Sequence, residues 1–382
     1  MATLGRETAL RVRHSYFARA VESIGMSIIS TRQFMFKAFL CSALTASLTL
    51  TPAHAERTSV NEASAASEIW LGPQALPPPL PAAVDYMDMF KPDAPWKVAA
   101  VHVQVFMLPG AFVTHTSPEQ LNTVVTDLKN RGMAIALAVG VMNVPHNPAS
   151  GCGGLGNVEG YGTVPMATKI SRMIKNAGGE IKYLVMDEPL FYGHYYTRAQ
   201  GKGNGCHSSI DEIIQLIKPT LSVYTQEFPN IFIGEVEPTF FIDGHANWRR
   251  DLSAWAAAYR AAMRKPLAFM HLDIEWPLAN GVQDALQVYN AAQELVRQHL
   301  VGKIGVIYNG SRQNSSDVSW VKAARDHVLL LEGKYRLRPD HVIFQSWTTN
   351  PTHAMPETAP DTLTSLVDFY FSPTLRGQIE AR

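Results

Sequence analysis

The feature of this sequence that most constrains its fold is a repeated unit that begins near residue 68. In each unit a short apolar run, rich in β-branched or aromatic residues, ends in a loop that leads into a segment of helical periodicity. The runs predict eight strands, at Glu68–Leu71, Ala99–Met107, Ala134–Met142, Lys182–Asp187, Ile231–Val236, Leu267–Ile274, Lys303–Tyr308 and His341–Ser346. Eight strands that alternate with helices over about 300 residues favour an α/β fold, a single (β/α)8 TIM barrel.

The segments between these runs carry local helix signals. Ser117 is a capping residue followed by Pro118 at the first helical position, and Gly132 provides a stop. Further helices are predicted at Ser208–Thr225, Asn247–Arg264, Val282–Leu300 and Asp317–Leu331. The alternative, an open doubly wound sheet, would have a glycine-rich phosphate loop after its first strand. Here a proline-rich stretch, 72–81, follows that strand, so we favour the closed barrel.

The N-terminal region has the features of an export signal. Lys37 precedes an apolar run, 38–50, and small residues follow it up to Ala55. A run of about 13 residues is too short to span a bilayer, which needs roughly 20. We predict a signal peptide over 1–55 that is removed after Ala55, and an exported protein, periplasmic or secreted. A retained buried helix is the alternative.

Two details complete the predicted domain organisation. Met26 and Met35 are alternative start positions, because the residues before the apolar run are unusual for a signal peptide. After the cleavage site, 56–67 is rich in Ser, Ala and Glu and is predicted to be a flexible segment. The barrel would then be one catalytic domain over 68–382.

Composition limits the classes of partner. Lys plus Arg number 33 and Asp plus Glu number 33, so the chain has no basic surplus with which to bind a nucleic acid or an anionic membrane. With 46% hydrophobic residues it can bury a sizeable core alone, and we expect a monomer. A P-loop, a Gly-x-Ser-x-Gly elbow and a His-Glu-x-x-His motif are all absent from the sequence, and we expect neither a cofactor nor a metal.

Two cysteines, Cys152 and Cys206, follow the predicted cleavage site. They lie in the loops after the third and fourth predicted strands, which are adjacent over one end of a barrel. In an oxidising compartment such a pair can form a disulfide, which we predict, although two separate thiols are the alternative.

Acidic residues end three successive predicted strands. They are Asp187 and Glu188 after strand four, Glu235 and Glu237 on strand five, and Asp273 and Glu275 on strand six. Side-chain alternation predicts that the acids of strands five and six face the barrel interior, together with His271, and that Val236 faces the helices. Burying several acids is costly unless they are paired or used, so this pattern indicates a site at the carboxyl ends of the strands.

Paired carboxyl groups are what glycoside hydrolysis requires, because one must protonate the leaving group while the other attacks or activates water. We therefore predict a glycosidase that acts on a poly- or oligosaccharide. The catalytic candidates are Glu188, Glu275, Asp273, Glu237 and Asp187. The candidates for binding the carbohydrate are aromatic and polar residues near strand ends: Glu235, His271, Trp276, Tyr192, His194, Tyr308, Asn309, Trp347, Gln345 and Glu159.

The tripeptide Asp187-Glu188-Pro189 after the fourth strand resembles the Asn-Glu-Pro of clan A glycoside hydrolases. Trp347 after strand eight resembles a tryptophan often found there in that clan. The resemblance implies that Glu188 is the acid/base. The clan's nucleophile is a glutamate at the end of strand seven, and this chain has no acid in 307–311. Either Glu275 or Asp273 has taken that role, with Glu237 competing for it, or the barrel belongs to another lineage.

Two other functions fit the same acids. Enolase-like barrels hold magnesium with carboxylates from three consecutive strands, and His271 or His194 would then serve as the base in the absence of a lysine at a strand end. An exported barrel without catalytic activity would use the acids only to hydrogen-bond sugar hydroxyls. The chelator EDTA and the variants Glu188→Gln and Glu275→Gln distinguish these from a glycosidase.

Overall fold

The computed structural model describes residues 66–75, 83–147, 149–154, 158–196 and 204–380. The predicted signal peptide and the part of the predicted flexible segment up to residue 65 lie outside these residues. Among the described residues there is no helix that is long and apolar enough to cross a membrane.

Eight parallel strands form a closed barrel in which each strand pairs with the next and the eighth pairs with the first. The strands are β1 Glu68–Gly72, β2 Val105–Pro109, β3 Ala134–Val139, β4 Ile181–Asp187, β5 Phe232–Pro238, β6 Met270–Asp273, β7 Ile304–Tyr308 and β8 His341–Gln345. The predicted (β/α)8 TIM barrel is therefore confirmed.

Side chains alternate between two cores, one inside the barrel and one under the helices. The inner core is aromatic: the ring of Trp70 lies 4.8 Å from that of Tyr183 and 5.4 Å from that of Phe269. Residues at the alternate positions of the strands, such as Leu184 and Leu272, point outward into the larger core that the helices cover. Which face a residue occupies on its strand thus decides whether it can reach the mouth of the barrel.

The helices surround the barrel. They are α1 Lys97–His102, α2 Gly110–His115, α3 Pro118–Asn130, α4 Val164–Asn176, α5 Ile210–Glu227, α6 Trp248–Met263, α7 Gly281–Arg297, α8 Asp317–Val328, α9 Thr364–Phe371 and α10 Pro373–Glu380. Capping boxes begin α3 at Ser117, α5 at Ser209 and α8 at Ser316, so local sequence fixes these starts. The predicted stop at Gly132 has φ of 73°.

The predicted second strand, Ala99–Met107, was wrong in its first half. Residues Lys97–His102 form α1, and β2 begins only at Val105. The cause is a contact distant in sequence: the carboxylate of Glu357 accepts hydrogen bonds from the amides of Val98 at 3.1 Å and Ala99 at 2.5 Å. A carboxylate on the first amides stabilises a helix start, and nothing near Ala99 in the sequence announces it.

Two other strands are shorter than predicted by three residues or more. Strand three ends at Val139 rather than Met142. Strand six begins at Met270 rather than Leu267, which forms only an isolated bridge with Val301.

Candidate active site at the carboxyl ends of the strands

The end of β4 holds Glu188 in an unusual backbone conformation. Asp187 is the last residue of the strand, and Glu188 follows it with φ of 47°. A left-handed conformation costs a residue with a side chain about 1 kcal/mol or more. Two hydrogen bonds hold it: the Glu188 amide donates to the Val236 carbonyl at 3.1 Å, and the Glu188 carbonyl accepts from the Tyr192 amide at 2.9 Å. The turn that carries this carboxyl group is therefore fixed on both sides.

The end of β6 brings Asp273 to the same region. His271, two residues earlier, contacts Trp70 inside the barrel, and the alternation gives Asp273 the same inward face. Asp273 is half-buried and is the charged neighbour with the largest effect on Glu188. The predicted partner Glu275 lies beyond the end of the strand and is exposed, so its expected place on the interior face was wrong.

The loop after β3 adds a further acid. Glu159 accepts a hydrogen bond from the Tyr192 hydroxyl, which draws this loop against the end of β4. The next residue, Gly160, has φ of 81°, and a Cβ there would lie 2.8 Å from the Asp187 carbonyl oxygen. Only glycine allows this approach. We refer to Glu159, Asp187, Glu188 and Asp273 as the mouth carboxyl cluster.

Burial and mutual repulsion raise the pKa values within the mouth carboxyl cluster. Burial raises the pKa of Asp187 to about 7, with the charge of Glu159 adding to it. The pKa of Asp273 is raised to about 8, first by burial and then by nearby carboxylates, of which Glu275 has the largest effect. Burial, followed by the charge of Asp273, holds the pKa of Glu188 well above its usual range. Unequal carboxyl groups of this kind suit acid–base chemistry.

One cation near the mouth carboxyl cluster was not predicted. Arg312, in the loop after β7, lowers the pKa of Asp273 by its positive charge. An exposed arginine three residues beyond Asn309 has no sequence signal that distinguishes it from a surface charge. Its role depends on how the β7 loop folds back towards β6.

The acids of β5 face away from the mouth, which corrects the predicted interior face. The ring nitrogen of Trp255, on α6, donates to Glu235 at 2.6 Å, and the amides of Leu190 and Phe191 donate to Glu237 at 2.7 and 3.0 Å. Both glutamates are buried in the helix layer, whereas Val236 packs against the inner core.

The reason for this reversal lies one residue before Glu235. A Cβ at Gly234 would lie 2.5 Å from the ring of Phe269, so Gly234 faces the interior at a point that Phe269 already fills. This contact fixes which residues of β5 face the interior: Gly234 and Val236 do, and Glu235 and Glu237 do not.

Two other predicted binding residues also lie away from the mouth carboxyl cluster. His271 is buried inside the barrel, its Nε2 3.0 Å from His341 Nδ1. Tyr308 faces the helices, and its hydroxyl donates to Glu332 at 2.8 Å. Neither is exposed at the mouth.

Trp276 and Asn309 form a pair at the ends of β6 and β7. The Trp276 ring nitrogen donates to Asn309 Oδ1 at 2.6 Å, and its ring is stacked on that of His327 with centroids 3.6 Å apart. Trp276 is half-buried, and these two contacts hold its indole in place. At the end of β8, Trp347 packs on the inner core and Gln345 lies beside Gly72, and both are half-buried.

The loops after β3 and β4 are joined by a disulfide between Cys152 and Cys206, with Cα atoms 5.2 Å apart, which confirms the predicted pair. His194 lies on the β4 loop but lines a separate cavity with Tyr195 and His245. Within the described ranges, no three side chains of His, Cys, Asp or Glu are arranged to hold a metal ion.

Comparisons with known proteins give only weak structural similarities. No family model matches the chain, and no curated protein matches it. A psychrophilic glycoside hydrolase family 10 endo-β-1,4-xylanase matches with 12% identity and a TM-score of 0.42, covering 74% of this chain and 87% of the other. The GH53 catalytic domain of Ignisphaera aggregans matches with 13% identity and a TM-score of 0.44, covering 75% and 87%.

A morphinone reductase matches to a similar degree, with 11% identity and a TM-score of 0.46, covering 81% of this chain and 88% of the other. The assignment of the barrel rests on its own strand pairing, and the function has to be argued from the site.

Proposed function

We propose that this chain is an exported glycoside hydrolase in which Glu188 is the general acid/base and Asp273 is its carboxylate partner. The observation that carries the proposal is the meeting of two partly buried carboxyl groups, from the ends of β4 and β6, at the open end of the barrel. Export is part of the proposal and rests on the signal-like sequence of residues 1–55 together with the disulfide.

The backbone at Glu188 supports its assignment as the acid. A non-glycine residue in a left-handed conformation costs stability, and such residues cluster at functional sites. Burial and four nearby carboxylates, led by Asp273, favour the protonated form of Glu188. A protonated carboxyl group is what the leaving oxygen of a glycosidic bond needs.

Asp273 is favoured as the partner over the other two candidates. Glu275 is exposed, and Glu237 is buried in the helix layer, where two backbone amides occupy its carboxylate. Asp273 faces inward; burial and nearby carboxylates raise its pKa to about 8, and the positive charge of Arg312 limits that rise. An ionised carboxylate beside a protonated one is the arrangement that both known mechanisms of glycoside hydrolysis use.

Aromatic side chains at the mouth support a carbohydrate substrate. Trp276 is held by Asn309 and His327, and Trp347 packs on the inner core. Both are half-buried and packed against other side chains, so they can serve as platforms for the apolar faces of sugar rings. Tyr192 adds a hydroxyl already held by Glu159.

The test is a screen of the mature protein against plant and bacterial glycans, with the release of reducing ends as the readout. Glu188→Gln and Asp273→Asn should each lower the rate on any glycan that is cleaved by about 10²–10⁴-fold. The matched control Glu275→Gln removes an acid two residues beyond Asp273 and should keep most of the activity. Excess EDTA should leave the rate unchanged.

Three results would contradict the proposal. Full activity in Glu188→Gln would exclude its role as acid. Loss of activity with EDTA, restored by magnesium, would favour the metal-dependent lyase. Tight glycan binding that Glu188→Gln leaves intact, with no glycan ever cleaved, would favour a binding protein.

A further inference from the structure

A cavity of about 520 Å³ lies between the loop after β4 and the loop after β5. The β4 loop contributes His194 and His207 to its wall, the β5 loop contributes His245, and the first turn of α6 contributes Arg250. None of these residues belongs to the mouth carboxyl cluster. The cavity is at the same end of the barrel as that cluster, because its walls follow the carboxyl ends of two neighbouring strands.

The one carboxylate in the wall of this cavity is already engaged. Asp251 accepts a hydrogen bond from the Tyr195 hydroxyl at 2.9 Å, and Nε and Nη2 of Arg250 both donate to its other oxygen at 3.2 Å. The charges of Asp251 and Arg250 therefore offset one another in part within the wall. The wall also contains three imidazoles, and the Arg250 guanidinium has N–H groups beyond the two that Asp251 accepts.

Two of the histidines are held in defined orientations. His194 donates from Nδ1 to the Ser208 carbonyl at 2.8 Å, which directs the Nε2 edge of the ring away from that carbonyl. The ring of His245 packs against that of Tyr195, with centroids 4.3 Å apart. The cavity therefore offers polar ring edges next to an aromatic surface, a combination that suits a sugar ring with a charged substituent.

The amino end of α6 adds to the positive potential. The helix has 16 residues from Trp248, and its N-cap residue Asn247, which lines the cavity, makes no side-chain capping hydrogen bond. The positive end of the helix dipole favours an anion there. It acts on the same space as Arg250 and the histidines.

We propose that this cavity binds the acidic group, carboxylate or sulfate, of an anionic glycan, and that the substrate of the barrel is therefore an acidic rather than a neutral polysaccharide. The statement about substrate rests on the proposed function, whereas binding to the cavity does not.

The test is calorimetric titration of the full mature chain carrying Glu188→Gln, which prevents turnover. The probes are a galacturonic acid trisaccharide, a sulfated galactan oligosaccharide and a neutral galactan oligosaccharide of equal length. At least one acidic probe should bind about tenfold or more tightly than the neutral probe. Whether the carboxylated or the sulfated probe binds identifies the group that the cavity accepts.

A matched pair of arginines locates the binding. Arg250→Gln should weaken binding of the acidic probe by about tenfold or more, because it removes a charge-assisted donor. Arg249→Gln should have no effect, since that guanidinium lies over the Trp248 ring at 4.2 Å and is not part of the cavity wall. His194→Gln should act in the same direction as Arg250→Gln.

The inference is overturned if neither acidic probe binds better than the neutral one, or if the two arginine variants weaken binding equally. Its failure is distinct from that of the proposed function. If the chain cleaves a neutral glycan and its cavity binds no acidic probe, the proposed glycosidase function is supported and the cavity proposal fails. If an acidic probe binds tightly but no glycan is cleaved, the cavity proposal is supported and the proposed function fails.

Discussion

Two acids, two residues apart, lie near the carboxyl end of β5 and two more near that of β6, yet the two pairs lie in different surroundings. Glu235 and Glu237 are buried in the helix layer, whereas Asp273 faces the open end of the barrel and Glu275 is exposed. The difference comes from the inner core, where Phe269 leaves room only for Gly234. Identical spacing therefore does not imply an identical role; the packing of one neighbour decides the face.

The partners of each acid also differ. Glu237 accepts hydrogen bonds from two backbone amides and Glu235 accepts one from an indole N–H, so both have donors at short range. Carboxylates raise the pKa values of both Glu188 and Glu237, but for Glu237 two amide donors oppose that rise, whereas for Glu188 the charge effects come from four carboxyl groups led by Asp273. Donors around a buried acid indicate a structural role, whereas other acids around it indicate a chemical one, because like charges hold one group protonated at a cost in stability.

The largest expected contrast is in activity. Asp273→Asn should lower kcat on a cleaved glycan by about 10²–10⁴-fold, because it removes the ionisable partner of Glu188. Glu235→Gln should change kcat by less than about twofold, since Glu235 has no path to the mouth. Steady-state kinetics at one pH compares the two, and equal losses would remove the distinction between the strands.

The effects on stability should be the reverse, because loss of Glu237 from β5 should destabilise the fold more than loss of Glu275 near β6. Glu237→Ala leaves the buried amides of Leu190 and Phe191 without an acceptor and should lower the free energy of unfolding by about 2–4 kcal/mol. Denaturant titration followed by fluorescence measures the loss. Glu275→Ala is the control and should change it by less than about 0.5 kcal/mol. A neutral effect of Glu237→Ala would show that this carboxylate does not support the β4 loop.

The pH dependence of stability should reveal Glu235. Burial raises its pKa in the folded chain to about 8, above the unfolded value near 4.3. Below pH of about 4 it is protonated in both states and costs nothing, and as pH rises to about 8 only the unfolded state ionises, so stability falls by a few kcal/mol.

The variant Glu235→Gln removes that loss. It should therefore be more stable than the wild type at pH of about 8 and nearly equal to it at pH of about 4. Thermal unfolding across this range measures the difference. Glu180→Gln, at a glutamate with a 72% exposed side chain, is the control. A constant difference between variant and wild type at all pH values would contradict the raised pKa.

The smallest expected effect concerns Arg312, which lowers the pKa of Asp273. The acidic limb of the profile of kcat/KM against pH reports the ionisation of the carboxyl pair and should lie above the usual carboxylate range, towards pH of about 7–8. Arg312→Gln should move that limb upward by up to about one pH unit. A downward shift would show that Arg312 acts on another group.

The sequence predicted the barrel well because its evidence is local. Capping boxes at Ser117, Ser209 and Ser316 and the regular alternation of strands and helices lie within short windows. The site was predicted less completely, because it depends on distant contacts. The outward face of Glu235 follows from Phe269, more than thirty residues away in the chain, and the approach of Arg312 to Asp273 follows from the path of a loop.

The helix at Lys97–His102 shows the same limit, since its amino end is stabilised by Glu357. Periodicity describes a segment, whereas the face and the partner of a residue belong to the folded molecule. The combination of Asp187 and Glu188 after the fourth strand was visible in sequence because the barrel itself fixes what lies at a strand end.

The most direct test of the central claim, that Glu188 protonates the leaving group, uses two aryl glycosides of the sugar that the screen identifies. A phenyl glycoside needs protonation of its leaving oxygen, whereas a dinitrophenyl glycoside does not. Glu188→Gln should lose about 10²–10⁴-fold in kcat/KM on the phenyl glycoside and less than about tenfold on the dinitrophenyl glycoside. Equal losses on both would contradict a role for Glu188 as the acid.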